Sequence, residues 1–215
     1  LYSGEVNAGW FTLHQDDPIS LISQCIKHIC DILCPRIKVI SGGSTGGFAC
    51  LRMSKIIPDA DYFIWNPQTN ILNYNLKHVE EYARCISGLS DVQIDSFFKM
   101  AGLEYELDFK SIISNLKGKI YYFQQLGDWH VKSHLFPFLK PILKLNYEEF
   151  SSFISSKPSK FLNDNFYLHV GNWRRNKDQR SHIAPTPELI KEVLNSIVLN
   201  GRIDHLELDS FDTNL

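Results

Sequence analysis

The sequence predicts an α/β fold built on a mainly parallel sheet flanked by helices. Two observations carry this. Four short runs, Ile37–Ser41, Tyr62–Trp65, Ile120–Gln124 and Phe166–Val170, are apolar nearly throughout, as strands buried on both faces of a parallel sheet are. Segments with helical spacing lie between them, and strand alternating with helix marks this class.

The elements follow in chain order. Pro18–Leu33 reads as a helix with apolar residues at 19, 22, 26, 29 and 33. Ile37–Ser41 reads as a strand, followed by a helix over Gly47–Ile57 and the second strand. The stretch up to the third strand is too long for one crossover. Its segments His78–Ile86, Asp91–Ala101 and Asp108–Leu116 read as three short helices, so residues 72–118 are expected to form a helical insertion capping the sheet. Tyr147–Ile154 is another helix. Pro187–Val198 is the last, with proline at its start and Gly201 past its end. The acidic tail from Gly201 to Leu215 is weakly patterned and reads as a late strand, a partner contact or a mobile end.

The bulk numbers narrow the function. With 215 residues, 44% hydrophobic, the chain suits one domain with a real core. A net charge of −2 leaves no field to draw it onto nucleic acid or an anionic membrane. No apolar run approaches the roughly 18–20 residues that cross a bilayer, and no leader pattern is visible, although the chain begins at Leu1 and reads equally as a fragment. The five cysteines, at 25, 30, 34, 50 and 85, are odd in number and form no CxxC pair. They argue against a disulfide framework or a zinc site and for a reducing, cytoplasmic setting. Cys30 and Cys34 read as buried free thiols.

The chemistry concentrates in Gly42-Gly43-Ser44-Thr45-Gly46-Gly47. This satisfies G-x-S-x-G directly after a strand and directly before a helix, the setting a nucleophile elbow requires. Small residues at −2 and +2 are expected where strand and helix nearly collide. The Thr45 backbone N–H at the helix start would face a developing oxyanion. A phosphate loop is the competing reading, but no Gly-Lys-Ser/Thr follows and G-x-G-x-x-G is absent. A purely structural glycine turn is the plainer alternative.

A serine needs a base, and in such folds the chain order is serine, acid, histidine. The third strand runs into Gly127-Asp128, and the fourth into a loop containing His182. Asp128 and His182 are therefore the candidate acid and base. Asp164 precedes its strand, and Asp178 shares the histidine's own loop. His169 lies within a strand and reads as a core residue. His130 and His134 follow Asp128, but no further ligand joins them at metal spacing, so no metal is expected. They are read as shaping the acid loop or touching substrate.

These parts together resemble the α/β-hydrolase superfamily. Within it, "SGGSTGGFACL", "FIWNPQT" at Phe63–Thr69 and "DWHVKSHLFPF" at Asp128–Phe138 are similar to bacterial, meningococcal-type capsule polysaccharide O-acetyltransferases. That resemblance implies acetyl-CoA as co-substrate, no bound cofactor, a surface polysaccharide as acceptor and other capsule-biosynthesis enzymes as partners; a homo-oligomer is compatible with it. The departure is at the front. Only 43 residues precede Ser44, so strands that stand before the elbow in a full sheet are expected to be missing or shortened. The second oxyanion donor comes from that region in relatives, leaving Gly9 or Trp10 as a guess.

Several residues read as substrate contacts. Asn66 and Gln68 stand at a strand's C-terminal end, although Asn-Pro is also simply a turn starter. Trp129 and Trp173 are placed to stack on sugar rings or to pack the cap. Arg174 and Arg175 head a basic run, Arg174–Arg180, suited to coenzyme A phosphates or an anionic glycan, or simply solvated. A triad alone does not separate a transferase from a carboxylesterase or polysaccharide deacetylase, nor the glycines from a non-catalytic glycan-binding subunit.

Overall fold

Four strands alternate with helices in a parallel arrangement. They are β1 (Val39–Gly43), β2 (Asp61–Trp65), β3 (Ile120–Gln125) and β5 (Phe166–Gly171). A fifth, β4 (Ser159–Asn163), runs antiparallel to β5 at the sheet's edge, giving the order β1-β2-β3-β5-β4. The computed structural model describes residue 10, residues 18–173 and residues 182–212. No helix among these is long and apolar enough to cross a membrane.

Side chains alternate across the strands with period two, so each strand feeds two cores. Tyr62, Ile64, Ile120, Tyr122, Phe166 and Leu168 enter the larger one, with α2 (Thr45–Met53) and the helices that follow. Phe63, Tyr121, Phe123 and Tyr167 face the other side. There they pack on Leu189, Val193 and Ile197 of α8 (Pro187–Asn200). Both layers are fully buried, which is why these strands read as unbroken apolar runs.

Pairing, rather than apolarity, sets the first strand. The expected span was Ile37–Ser41, but β1 pairs with β2 from Val39↔Asp61 to Gly43↔Trp65, carrying two glycines into the sheet. The expected Gly47–Ile57 helix instead starts at Thr45 and ends at Met53. α1 (Pro18–Leu33) matches its expected span, but only Ile19 of its apolar stripe is buried.

Between β2 and β3 lie α3 (Leu76–Ser87), α4 (Ile94–Met100) and α5 (Phe109–Ile113). Val79, Tyr82, Phe98 and Phe109 seat them on the larger core. After β3 comes a π turn, Val131–Leu135, running into α6 (Phe136–Leu143). α6 was not anticipated because it holds two prolines. Pro137 falls in its first turn and Pro141 lies inside it. α7 (Tyr147–Ser156) opens on an Asn146/Glu149 capping box. Among the described residues of the tail, 201–212, none is in a strand. Ile203 and Leu208 are buried beside α8, and Leu208–Phe211 forms a 3-10 turn.

All five cysteines are free thiols, but the expectation of burial fails for Cys34, which is exposed, and for Cys30, which is half-buried. Only Cys50 is buried, and its thiol is pushed up to about 12 by burial.

Candidate active site

The site forms where β1 turns into α2. Ser44 sits there at φ 53°, ψ −118°, a left-handed backbone that a non-glycine residue adopts only when its surroundings impose it. Those surroundings are a set of backbone bonds. Ser44 N–H donates to the Trp65 carbonyl at 3.0 Å, and its own carbonyl accepts from Phe48 and Gln68, each at 3.2 Å. Ser44 occupies the N-cap position of α2, yet its hydroxyl caps nothing. The side chain is left for other use.

Three glycines make the elbow possible. A Cβ on Gly42 would sit 2.8 Å from the Gly46 carbonyl oxygen, one on Gly43 would strike the Trp65 indole, and one on Gly47 would lie 2.5 Å from Pro67 Cβ. Gly46, at the +2 position, is a correction to expectation. A Cβ there meets nothing within 4 Å. The near-collision is real, but it is the −2 glycine that relieves it.

β3 and β5 then deliver the partners. His182 Nε2 lies 3.2 Å from Ser44 Oγ, and His182 Nδ1 lies 2.7 Å from Asp128 Oδ2. An ionised carboxylate only accepts, so Nδ1 carries the proton and Nε2 is free to take the one on Ser44. Asp128 is fully buried. Burial alone would raise its carboxyl, but hydrogen bonds from His130 and His182 outweigh that and hold it at about 2. It stays ionised and can stabilise a developing imidazolium.

His130 was expected to shape the acid loop or to touch substrate, and its position fits the first: it is buried behind the triad. Its backbone N–H and its Nδ1 both reach Asp128 Oδ1, at 3.0 and 2.9 Å. Burial lowers its basicity against the pull of Asp128, so the ring is neutral. His134 is lowered to about 3 by burial, with His130 adding to the effect. Thr69 N–H donates to its Nδ1, and Thr69 Oγ1 donates to its carbonyl. The sequence argument against a third ligand fails in space: ligand atoms of Asp128, His130 and His182 lie within 4.8 Å of one another. Both Asp128 oxygens are already engaged by the two histidines.

Asn66 lines the cleft at Ser44, whereas Trp173 sits elsewhere than expected. Both donate to the Ile183 carbonyl, Asn66 Nδ2 at 2.6 Å and Trp173 Nε1 at 3.1 Å. Asn66 Oδ1 meanwhile accepts from the Gln125 backbone at 2.7 Å and the Gln124 side chain. The two residues clamp the segment after His182 to the ends of β2 and β5. Trp173 is fully buried and not at a mouth. Trp129 is 43% exposed and lines a separate groove with Lys132 and Tyr147.

Gln68 is wholly buried and its Nε2 lies 3.2 Å from Ser44 Oγ. Trp10, guessed as a backbone oxyanion donor, instead hydrogen-bonds Gln68 Oε1 through its indole. Thr45 is the first residue of α2, where a backbone N–H has no intrahelical acceptor. Gly9, Arg174 and Arg175, with the rest of the basic run and Asp178, lie outside the described residues. Asp164 falls in the β4–β5 turn, away from the serine's end of the sheet. His169 is a core residue, with Ser159 Oγ 2.8 Å from its Nδ1.

A mainly parallel sheet with a serine at a strand–helix elbow, followed in chain order by acid and histidine, makes this an α/β-hydrolase-like fold. No family model matches the chain, and no curated protein matches it. A solved structure described as "Extracellular alpha/beta-hydrolase from Paenibacillus species shares structural and functional homology to Tobacco Salicylic Acid Binding Protein 2" is similar over 66% of this chain and 71% of that chain. The identity is 17% and the TM-score 0.36. At that level the likeness adds nothing to what the site's own geometry says.

Proposed function

We propose that this chain catalyses serine-dependent acyl transfer, taking acetyl from acetyl-CoA onto Ser44 and passing it to a hydroxyl of a bacterial capsular or surface polysaccharide. The observation that carries the acyl-enzyme step is the relay from Ser44 Oγ through His182 to buried, ionised Asp128. His182 takes the serine proton as Oγ attacks the thioester carbon, and the thiolate leaves with that proton. A sugar hydroxyl then gives its proton to His182 and attacks the acetyl carbon, and Ser44 Oγ leaves with that proton.

The cleft at Ser44, about 280 Å³ and walled by Gly43, Trp65, Asn66, His182, Ile183 and Ala184, has room for a small acyl group, and the choice of acetyl itself rests on the motif resemblance. The choice of acceptor rests on the resemblance of the three motifs to capsule O-acetyltransferases. In this reading the helices over 72–118 form a cap, Arg174 and Arg175 bind phosphate or an anionic glycan, and the reaction is cytoplasmic, where acetyl-CoA is available.

The test is to incubate the purified chain with labelled acetyl-CoA, with and without candidate capsular glycans. The expected result is acetyl-Ser44 by mass spectrometry and CoA release that depends on glycan, both lost in Ser44→Ala. Acetate release without any acceptor would replace the transferase by an esterase. Glycan binding without any acyl-enzyme would replace the enzyme by a binding subunit.

A further inference from the structure

Attack on an acyl carbon moves a lone pair's worth of charge onto the former carbonyl oxygen, and acyl-transfer sites hold that oxygen with preorganised donors. The Thr45 N–H at the head of α2 is one. We infer that the side-chain amide of Gln68 is the second, and that the Trp10 indole sets which end of that amide faces the serine. This rests on the acyl-serine reading above.

The geometry fixes the amide's direction. Gln68 Oε1 accepts from Trp10 Nε1. Indole nitrogen is a donor only, so the oxygen end must face Trp10 and the NH2 end must face Ser44. Nε2 stands 3.2 Å from Ser44 Oγ. Neither partner is free to drift. Gln68 is fully buried, as is Trp10, which is wedged edge-on against Tyr74 and Tyr82 at 5.7 and 5.0 Å. The loop carrying Gln68 lies against the head of α2 because Gly47 leaves room for Pro67. Gln68 N–H donates to the Ser44 carbonyl at 3.2 Å.

This placement favours the transition state. At rest the amide donates to the Ser44 hydroxyl oxygen. As Oγ bonds to carbon, its proton passes to His182 Nε2 and the carbonyl π pair moves to oxygen. Oγ then becomes an ester-like, poorer acceptor, while full charge appears on an oxygen attached to the same carbon. The Gln68 N–H is already beside that carbon. Its bond therefore strengthens as charge develops, which is the condition for lowering the barrier rather than merely binding substrate. Collapse returns the pair, breaks the bond to the leaving group, and sends the proton from His182 to it. Gln68 is neutral throughout, so its contribution does not titrate.

The experiment measures burst-phase acylation of the full chain by p-nitrophenyl acetate. Gln68→Ala is expected to slow acylation about 10²–10³-fold, with the limbs of the pH–rate profile unmoved. Gln68→Glu, which sets a negative charge beside the forming oxyanion, is expected to be slower still. Gln68→Met keeps the volume and serves as the companion if the alanine variant melts early. Trp10→Phe, which keeps the ring and removes the N–H, is expected to slow acylation in the wild-type background and to change nothing in the Gln68→Ala background, because its effect passes through Gln68. Wild-type acylation rates in both Gln68→Ala and Gln68→Met would overturn the inference and leave the serine chemistry standing. So would equal effects of Trp10→Phe with and without Gln68. A wild-type chain that never forms acetyl-Ser44 would instead overturn the acyl-serine reading on which the inference depends.

Discussion

The rings of His130 and His182 lie face to face, 4.1 Å between centroids and 14° between planes. Each donates from Nδ1 to a different oxygen of Asp128. One buried carboxylate therefore orients two histidines, of which only His182 reaches Ser44. His130 acts through Asp128: it is a positioning residue that shares the carboxylate's charge and backs the base.

This sharing predicts a cost to catalysis. His130→Phe keeps a flat ring against His182 but removes the donor to Asp128 Oδ1. The carboxylate is then held by His182 alone, and kcat/KM is expected to fall roughly tenfold from looser alignment. His130→Gln, whose side-chain amide can again donate to Asp128, is expected to recover part of that loss. Rates with p-nitrophenyl acetate check this, and wild-type kcat/KM in His130→Phe would remove His130 from the relay.

Replacing the acid tests the tautomer argument. Asp128→Asn keeps the volume but offers an amide that no longer compels His182 to carry its proton on Nδ1. Turnover is expected to fall about 10⁴-fold, and labelling of Ser44 by a fluorophosphonate is expected to slow with it. A rate within tenfold of wild type would remove Asp128 from the relay.

The two glycines after the serine are expected to behave oppositely. Gly46 lies in the first turn of α2 with open space where a Cβ would go. Gly46→Ala is expected to leave stability unchanged or raise it by up to about 1 kcal/mol, since alanine loses less backbone freedom on folding. Gly47→Ala drives a methyl into Pro67 and is expected to cost about 1–3 kcal/mol, as overpacking does. It should also displace the loop that carries Gln68. Thermal melts of the two variants decide the point, and equal melting temperatures would contradict the steric account.

What the sequence showed and what it hid divide by range. The elbow was legible because G-x-S-x-G, a preceding strand and a following helix are contiguous. Asp128 and His182 were legible because chain order and strand ends place them. The Trp10–Gln68 pair was hidden: the two are 58 residues apart, and nothing local marks an indole as the partner of an amide. Trp173 misled because a basic run follows it, which reads as a mouth, whereas the tertiary packing buries it and turns its N–H onto Ile183. β4 was missed because an edge strand pairs on one side only, and Ser-Lys-Phe-Leu-Asn lacks the apolar run of a central strand. In α1, periodicity found the stripe, but could not say that Ile29 and Leu33 would stay exposed.

Buried neutral histidines predict how the fold responds to acid. Burial lowers His134 to about 3 and His169 to about 4, and lowers His130 as well. In the unfolded chain each binds a proton near pH 6.5. Between about pH 6.5 and pH 3–4 the unfolded state therefore holds more protons than the native one, so stability falls as pH is lowered through that window. His134 and His169 each contribute a slope approaching 1.4 kcal/mol per pH unit. Asp128 acts lower. Held at about 2 against an ordinary 3.8, it contributes on the order of 2 kcal/mol that is present above pH 4 and lost as pH falls toward 2. Urea unfolding at pH 7, 6, 5 and 4.5 is expected to show a steep decline beginning below pH 6.5, above the range where ordinary carboxylates protonate. His169→Gln, which retains an acceptor for Ser159 without a titrating ring, is expected to flatten that decline by about one proton's worth. A stability flat from pH 7 to 5 would mean that these rings protonate without unfolding the chain, and would remove the burial argument for their neutrality.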